Sequence, residues 1–214
     1  MILIQVTDKQ FQVDNKGQKV KAFEILFVQP DGSVNKKGYF GVKGELFNVI
    51  VENKSSESIT IHWHGLIVPN NQDGVPNVTQ LLIRPGEKKA YKYRLLQSGT
   101  YWMHSHQGLQ EQQQLSAPLI IYESKTKDQK IQDIVMFLED FTYKDPYVLF
   151  ANLRNTKMKK SMSSKRKQQD YNDVTYDAYL TNKRSLSNPE IIVTDPQKIV
   201  RLRIINASSS TNYQ

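Results

Sequence analysis

A chain of 214 residues with 38% hydrophobic content and no cysteine is long enough for one large domain or two smaller ones, each with a buried core. It reads as soluble and globular, with disulfides, thiolate metal sites and thiol nucleophiles excluded. The net charge of +8 would point to nucleic acid, but Lys157, Lys159, Lys160, Lys165, Arg166 and Lys167 supply six of those charges within one acid-free run, leaving 8 − 6 = +2 for the remainder; such a run in a Ser- and Gln-rich segment reads as a solvated loop, so no nucleic-acid partner is expected.

The opening Met1-Ile2-Leu3-Ile4-Gln5-Val6 is too short and too soon interrupted for a signal peptide. No apolar run approaches the ~18 residues of a membrane span. Residues 20–28 are apolar and extended, and Pro30-Asp31-Gly32-Ser33 turns the chain. Residues 46–51 alternate, with Phe47, Val49 and Val51 on one face. Strands are also expected at 58–64, 79–83, 90–94, 99–104 and 118–122, with Arg84-Pro85-Gly86-Glu87 as a strong turn between the second and third. Many short strands at this spacing predict an all-β fold, an antiparallel sandwich or barrel.

Residues 124–130 are polar and read as a linker, and 134–138 form a buried-strand run. Asp145-Pro146 opens a short helix through Leu153, Asp as N-cap and Pro in the first turn. The basic stretch at about 156–173 holds few apolar residues and is expected as a disordered or exposed loop. Strands resume at 176–180, 190–193 and 199–205, with Asp195-Pro196 as a turn. From Ile131 onward the pattern yields only about four strands where a sandwich uses ~7. The second unit therefore reads as incomplete, with unpaired edges.

All four histidines of the chain fall in two His-x-His pairs, His62-Trp63-His64 and His104-Ser105-His106. On a strand, residues two apart share a face, so each pair projects two imidazoles together while Ile61 and Trp63, or Met103 and Ser105, turn the other way. Adjacent strands carrying such pairs gather four imidazoles into one small volume. Metal-free histidines scattered over a surface or satisfied in a core would not fall into matched pairs, and the pattern predicts a metal site. Imidazole suits copper, zinc, iron and nickel; an all-His set with no thiolate or built-in carboxylate leans to copper, with zinc next. A germin-like cupin also carries His-x-His on a sheet, but it needs a glutamate soon afterwards, and Gly65-Leu66-Ile67-Val68-Pro69 follows here.

With their surroundings included, the motifs resemble the multicopper oxidases. The matching residues are His62-Trp63-His64-Gly65, Asp73-Gly74-Val75-Pro76 with Val78-Thr79-Gln80, Pro85-Gly86, and the run from Gly99 to His106; Leu115-Ser116-Ala117-Pro118-Leu119 and Arg201-Leu202-Arg203-Ile204-Ile205-Asn206 fit as well. The second histidine motif of the family usually has Tyr where Met103 stands. The resemblance implies a cupredoxin-like Greek-key β-sandwich over residues 1–125, followed by an incomplete second cupredoxin-like domain over 126–214. It implies that His62 is a ligand of a type 2 copper, that His64 and His104 hold one copper of a type 3 pair, and that His106 holds the other. Asp73 matches an acid that helps deliver protons to reduced oxygen in relatives; read alone, it is equally an ordinary turn Asp before Gly.

In the family, four further histidines and a Cys-centred type 1 copper come from a C-terminal domain, and this chain has no cysteine and no other histidine. The implied function is substrate oxidation coupled to reduction of O₂ to water, with a small reducing substrate or cuprous ion as electron donor and a complementary C-terminal cupredoxin domain as partner. Alone, the chain is expected to bind copper weakly and turn over nothing. The alternatives are a non-catalytic copper-binding module, or remnant of an interrupted gene, and a basic-loop interaction protein. The resemblance points to an exported or periplasmic setting. Met158 and Met162, among six basic residues, read as a spacer rather than a methionine-rich copper-handling insertion.

Overall fold

The structure, a computed structural model, describes residues 1–13, 16–124, 130–161 and 174–214, with side chains described outside 155–161. Twelve strands, one α-helix and a short 3₁₀ helix (Asn70–Gln72) appear among these residues: β1 (Ile2–Phe11), β2 (Val20–Val28), β3 (Val34–Asn35), β4 (Tyr39–Val42), β5 (Leu46–Asn53), β6 (His62–His64), β7 (Lys88–Arg94), β8 (Gly99–His104), β9 (Ser116–Tyr122), β10 (Ile131–Phe141), α1 (Pro146–Ser161), β11 (Ala178–Thr181) and β12 (Ile199–Asn206). They form three sheets, ordered β3-β2-β1-β5-β7, β4-β9-β8-β6 and β11-β10-β12. Successive strands β4 to β8 alternate between the first two sheets, so those sheets close as a sandwich and not as a barrel.

The sandwich core follows from alternation. Ile4 and Val6 of β1, Phe47, Val49 and Val51 of β5, and Tyr91 and Tyr93 of β7 point inward from one sheet; Trp63, Met103, Leu119 and Ile121 answer from the other. Phe47 is the hub, its ring 4.8 Å from Trp63 and 4.7 Å from Tyr93. Strand β9 breaks the alternation, since all of Ser116–Ile121 is buried. Its sheet is covered on both sides, which is why the sequence there is a continuous apolar run. Ile120, with the partly buried Trp102 and Tyr122, faces away from the sandwich and packs against Phe137 and Ile205 of the third sheet.

The all-β sandwich expected from sequence is present, with several local differences. Three ladders are parallel (β1 with β5, β4 with β9, β10 with β12), where an antiparallel fold was expected; crossing between sheets brings non-consecutive strands together in the same direction. Strand β1, whose Ile4 and Val6 are fully buried, was not foreseen. The stretch 79–83 forms no strand: residues 77–79 turn, with the Thr79 hydroxyl accepting from Val75 N–H (2.9 Å) and Asn77 at φ 60°, and only single bridges pair Ile83 with Ile59 and Gln80 with Pro76. Residues 190–193 are irregular. Helix α1 starts as predicted, with Asp145 Oδ1 accepting from Tyr147 N–H at 2.7 Å, but runs on to Ser161, since 151–161 holds no Gly or Pro and several good helix formers. Of the expected basic loop, 156–161 is therefore helical, and 162–173 lie outside the described residues, as do 125–129 of the expected linker.

Candidate metal centre

Strands β6 and β8 run antiparallel with His62 opposite His104 and His64 opposite Trp102. Trp63 and Met103 between them are fully buried in the sandwich, which turns His62, His64 and His104 to the opposite face. Trp63 anchors the strand further, its indole N–H donating to the carbonyl of Gln72 at 3.0 Å. The Met103 position, where the family usually has Tyr, is a core position facing away from the rings. β8 ends at His104; His106 lies past it in an irregular segment, its backbone N–H donating to the Thr60 hydroxyl at 3.3 Å.

The structure brings all four rings together. Ring centres lie 5.8 Å apart for His62–His64, 5.5 Å for His62–His104, 4.6 Å for His62–His106, 5.3 Å for His64–His104 and 5.1 Å for His104–His106. One nitrogen from each of His62, His64 and His104 falls within a 4.8 Å set, and His64 Nδ1 is 3.1 Å from His104 Nε2. His62 and His104 are the inner pair; His64 and His106 stand at the exposed edge.

The inner rings are fixed through their Nδ1 atoms. His62 Nδ1 lies 2.8 Å from the carbonyl of Asp73 and 3.2 Å from the Asp73 carboxylate. His104 Nδ1 lies 2.7 Å from Glu111 Oε2 and 3.1 Å from the carbonyl of Ser105. Carbonyls and carboxylates only accept, so each Nδ1 carries a proton, and Nε2 is the nitrogen left to offer a lone pair. Trp102 stacks on His104, with centres 4.3 Å apart and planes at 21°. The pKa values of His64 and His106 are lowered, first by partial burial and then by neighbouring imidazoles (His104 and His62 for both). Both shifts favour the neutral form, which has a lone pair to offer a metal.

Asp73 owes its place to Gly74. At φ +80°, Gly74 packs its backbone onto β6 so closely that a Cβ would sit 1.8 Å from the carbonyl oxygen of Ile61. The Asp73-Gly74 turn is thus pressed against the first histidine strand. Glu111 was not singled out in the sequence; its only trace there is an acid five residues after His106 in a glutamine-rich stretch. No periodicity ties a turn residue to a strand residue seven positions earlier, so spacing alone could not have found it.

A sandwich that presents three imidazoles from one sheet, with a fourth just past its edge, fits a cupredoxin-like copper-oxidase domain. Residues 40–126 match the family model described as multicopper oxidase. That stretch is a multicopper oxidase-type domain, and it makes up about two fifths of the chain. It is 38% identical over 113 residues to copper resistance protein A of Pseudomonas syringae pv. tomato, a match covering 52% of this chain and 19% of that protein. It is 26% identical over 185 residues to the multicopper oxidase MmcO of Mycobacterium tuberculosis, covering 80% of this chain and 36% of that protein. Among solved structures, the blue copper oxidase from Nitrosomonas europaea superposes with a TM-score of 0.71 at 23% identity, covering 96% of this chain and 60% of that one, and so shares the fold. The chain thus spans well under half the length of these curated relatives.

Proposed function

We propose that the chain supplies half of the ligand set of a trinuclear copper cluster, with His62 on a type 2 copper, His64 and His104 sharing one type 3 copper, and His106 on the other. The observation that carries this reading is the convergence of His64 Nδ1 and His104 Nε2 to 3.1 Å. Two lone-pair nitrogens cannot sit so close without a proton or a cation between them. In the metal-free chain His64 Nδ1–H donates to His104 Nε2; a cation in that gap would take both lone pairs, with the His64 proton carried on Nε2 instead. The donor set fits copper: it is all imidazole, with both inner rings tied through Nδ1 to acceptors that fix their orientation.

Bound copper supplies the redox capacity for reducing O₂ to water with electrons from a small reducing substrate or cuprous ion. The chain's own residues hold and orient it. Asp73, 3.2 Å from His62 and partly exposed, is placed to pass protons between solvent and the site. The open side of the histidine group, where His64 and His106 are exposed, is where a complementary C-terminal cupredoxin domain would add the remaining ligands and the thiolate copper site that a cysteine-free chain cannot form. We read residues 1–125 as the first cupredoxin-like domain and 126–214 as part of a second, in an exported or periplasmic protein. The bare apolar face of β12, with Val200, Leu202 and Ile204 exposed at 39%, 53% and 59%, supports a second unit that is completed by further chain.

The test is copper titration of the purified chain, followed by O₂ consumption with a phenolic dye after a complementary domain is added. Copper binding lost in His104→Ala, with O₂ consumed only in the presence of both parts, is the expected result. Turnover by the 214-residue chain alone would overturn the half-site reading. Tight copper binding with no O₂ consumption in any combination would favour the non-catalytic module.

A further inference from the structure

We infer that Glu111 is the positioning residue of this centre: its carboxylate holds the proton of His104 on Nδ1 and thereby turns the Nε2 lone pair toward His64. The inference rests on the copper reading only for what that lone pair then binds. Glu111 is the one acidic side chain, apart from Asp73, in contact with a histidine ring among the described residues. Its Oε2 lies 2.7 Å from His104 Nδ1 as an ion-pair contact, while the hydrogen bond of that nitrogen runs to the Ser105 carbonyl at 3.1 Å. A negative charge that close favours a proton on the near nitrogen beyond what the neutral carbonyl acceptor provides.

The segment carrying Glu111 is built to hold it there. The neighbouring Gln110 is buried and tied at both ends of its amide: Nε2 donates to the Ser58 carbonyl at 3.0 Å, and Oε1 accepts from the Ser105 hydroxyl at 2.8 Å. The Glu111 carbonyl accepts from Gln114 N–H at 3.0 Å, and the Gln110 carbonyl from Leu115 N–H at 3.1 Å. Gln110 therefore clamps the turn to the strand that leads into His62 and to the residue between His104 and His106. Glu111 is presented from this clamp with its side chain mostly covered, at 23% exposure. The two inner rings are thus oriented by different means. A backbone carbonyl does most of the work at His62, whereas at His104 a side chain can be removed without breaking the strand.

A carboxylate on Nδ1–H also makes Nε2 the better donor, and loss of such a partner typically weakens metal affinity 10–100-fold. The test is ¹⁵N NMR of the histidine rings in the metal-free 214-residue chain above pH 8, where imidazoles are neutral, for wild type, Glu111→Leu and Glu111→Gln. Wild-type His104 is expected as the Nδ1–H tautomer. Glu111→Leu is expected to shift it toward Nε2–H, and Glu111→Gln to keep the tautomer while its Nδ1–H proton moves upfield on losing the charged neighbour. Copper competition against a chromophoric chelator should show a loss of about 10–100-fold for Glu111→Leu and a smaller one for Glu111→Gln. An unchanged tautomer in Glu111→Leu would show that the Ser105 carbonyl suffices and would overturn the inference. If that variant does not fold, an unmoved Nδ1–H resonance in Glu111→Gln would overturn it equally. A shifted tautomer with unchanged copper affinity would also overturn it. A wild-type chain that binds no copper would instead sink the metal reading, with the tautomer still deciding whether Glu111 governs His104.

Discussion

Gly74→Ala is the sharpest perturbation of the first histidine strand. An added Cβ would lie 1.8 Å from Ile61 O, 2.6 Å from Ile61 C and 3.0 Å from His62 Cα, all backbone, so no side chain can step aside. The residue also sits at φ +80°, where an L-residue costs roughly 1–2 kcal/mol; overpacking adds about 1–3 kcal/mol. A destabilisation of roughly 2–5 kcal/mol is expected unless the turn lifts off β6, and lifting it carries Asp73 away from His62. Gly86→Ala is the control: φ is +83°, but nothing lies within 4 Å of its Cβ, so only the conformational cost of roughly 1–2 kcal/mol remains. Urea unfolding of the metal-free chain gives the difference, and copper titration shows whether the relaxed turn spoils the site. Equal losses for the two variants would refute the close-approach argument.

Removing the Trp63 side chain should cost about 3–5 kcal/mol, since it is fully buried against Phe47 and Tyr91; near-native urea unfolding of Trp63→Ala would contradict the packing. Lys183 donates to Glu139 Oε1 at 2.5 Å and to the Ser116 hydroxyl at 3.2 Å, and burial pushes the Glu139 carboxyl above its ordinary range against the pull of Lys183. Lys183→Met should therefore destabilise by about 3 kcal/mol, and Lys183→Met/Glu139→Leu should recover most of it; a double variant no better than the single would refute this. The pKa values of His64 and His106 are lowered from 6.5 in the fold, so as pH falls below 6.5 the unfolded chain takes up protons that the folded one does not. Stability of the metal-free chain should fall with pH in that window, and His64→Ala/His106→Ala should flatten the slope, as read by thermal unfolding from pH 7 to 5.

The sandwich and the histidine pairs could be read from sequence because both rest on the two-residue period of a strand. His62 and His64 share a face for the same reason that Trp63 between them reaches the core. The double-sided burial of β9 showed as an unbroken apolar run, although that run does not say what covers its second side. Contacts made by turns were hidden. Glu111 reaches His104 only because Gln110 is pinned, and the stretch 79–83 looked like a strand, although residues 77–79 turn. Helix α1 outran its predicted end because composition alone weighed its lysines as solvated coil rather than as helix formers. The Asp73-Gly74 pair was visible as a turn, but not that the turn would be pressed onto β6.

The stacking of Trp102 on His104 reaches beyond the histidine group. Trp102 also meets Phe137 of β10, ring centres 6.1 Å apart, and the Thr100 hydroxyl two residues earlier accepts from Arg203 of β12 at 2.9 Å. The imidazole of His104 is therefore walled on one flank by an indole whose own backing belongs to the later part of the chain. Clipping the polypeptide after Glu123 would leave that indole facing water, and the loosened ring beside it would be the first sign of the damage.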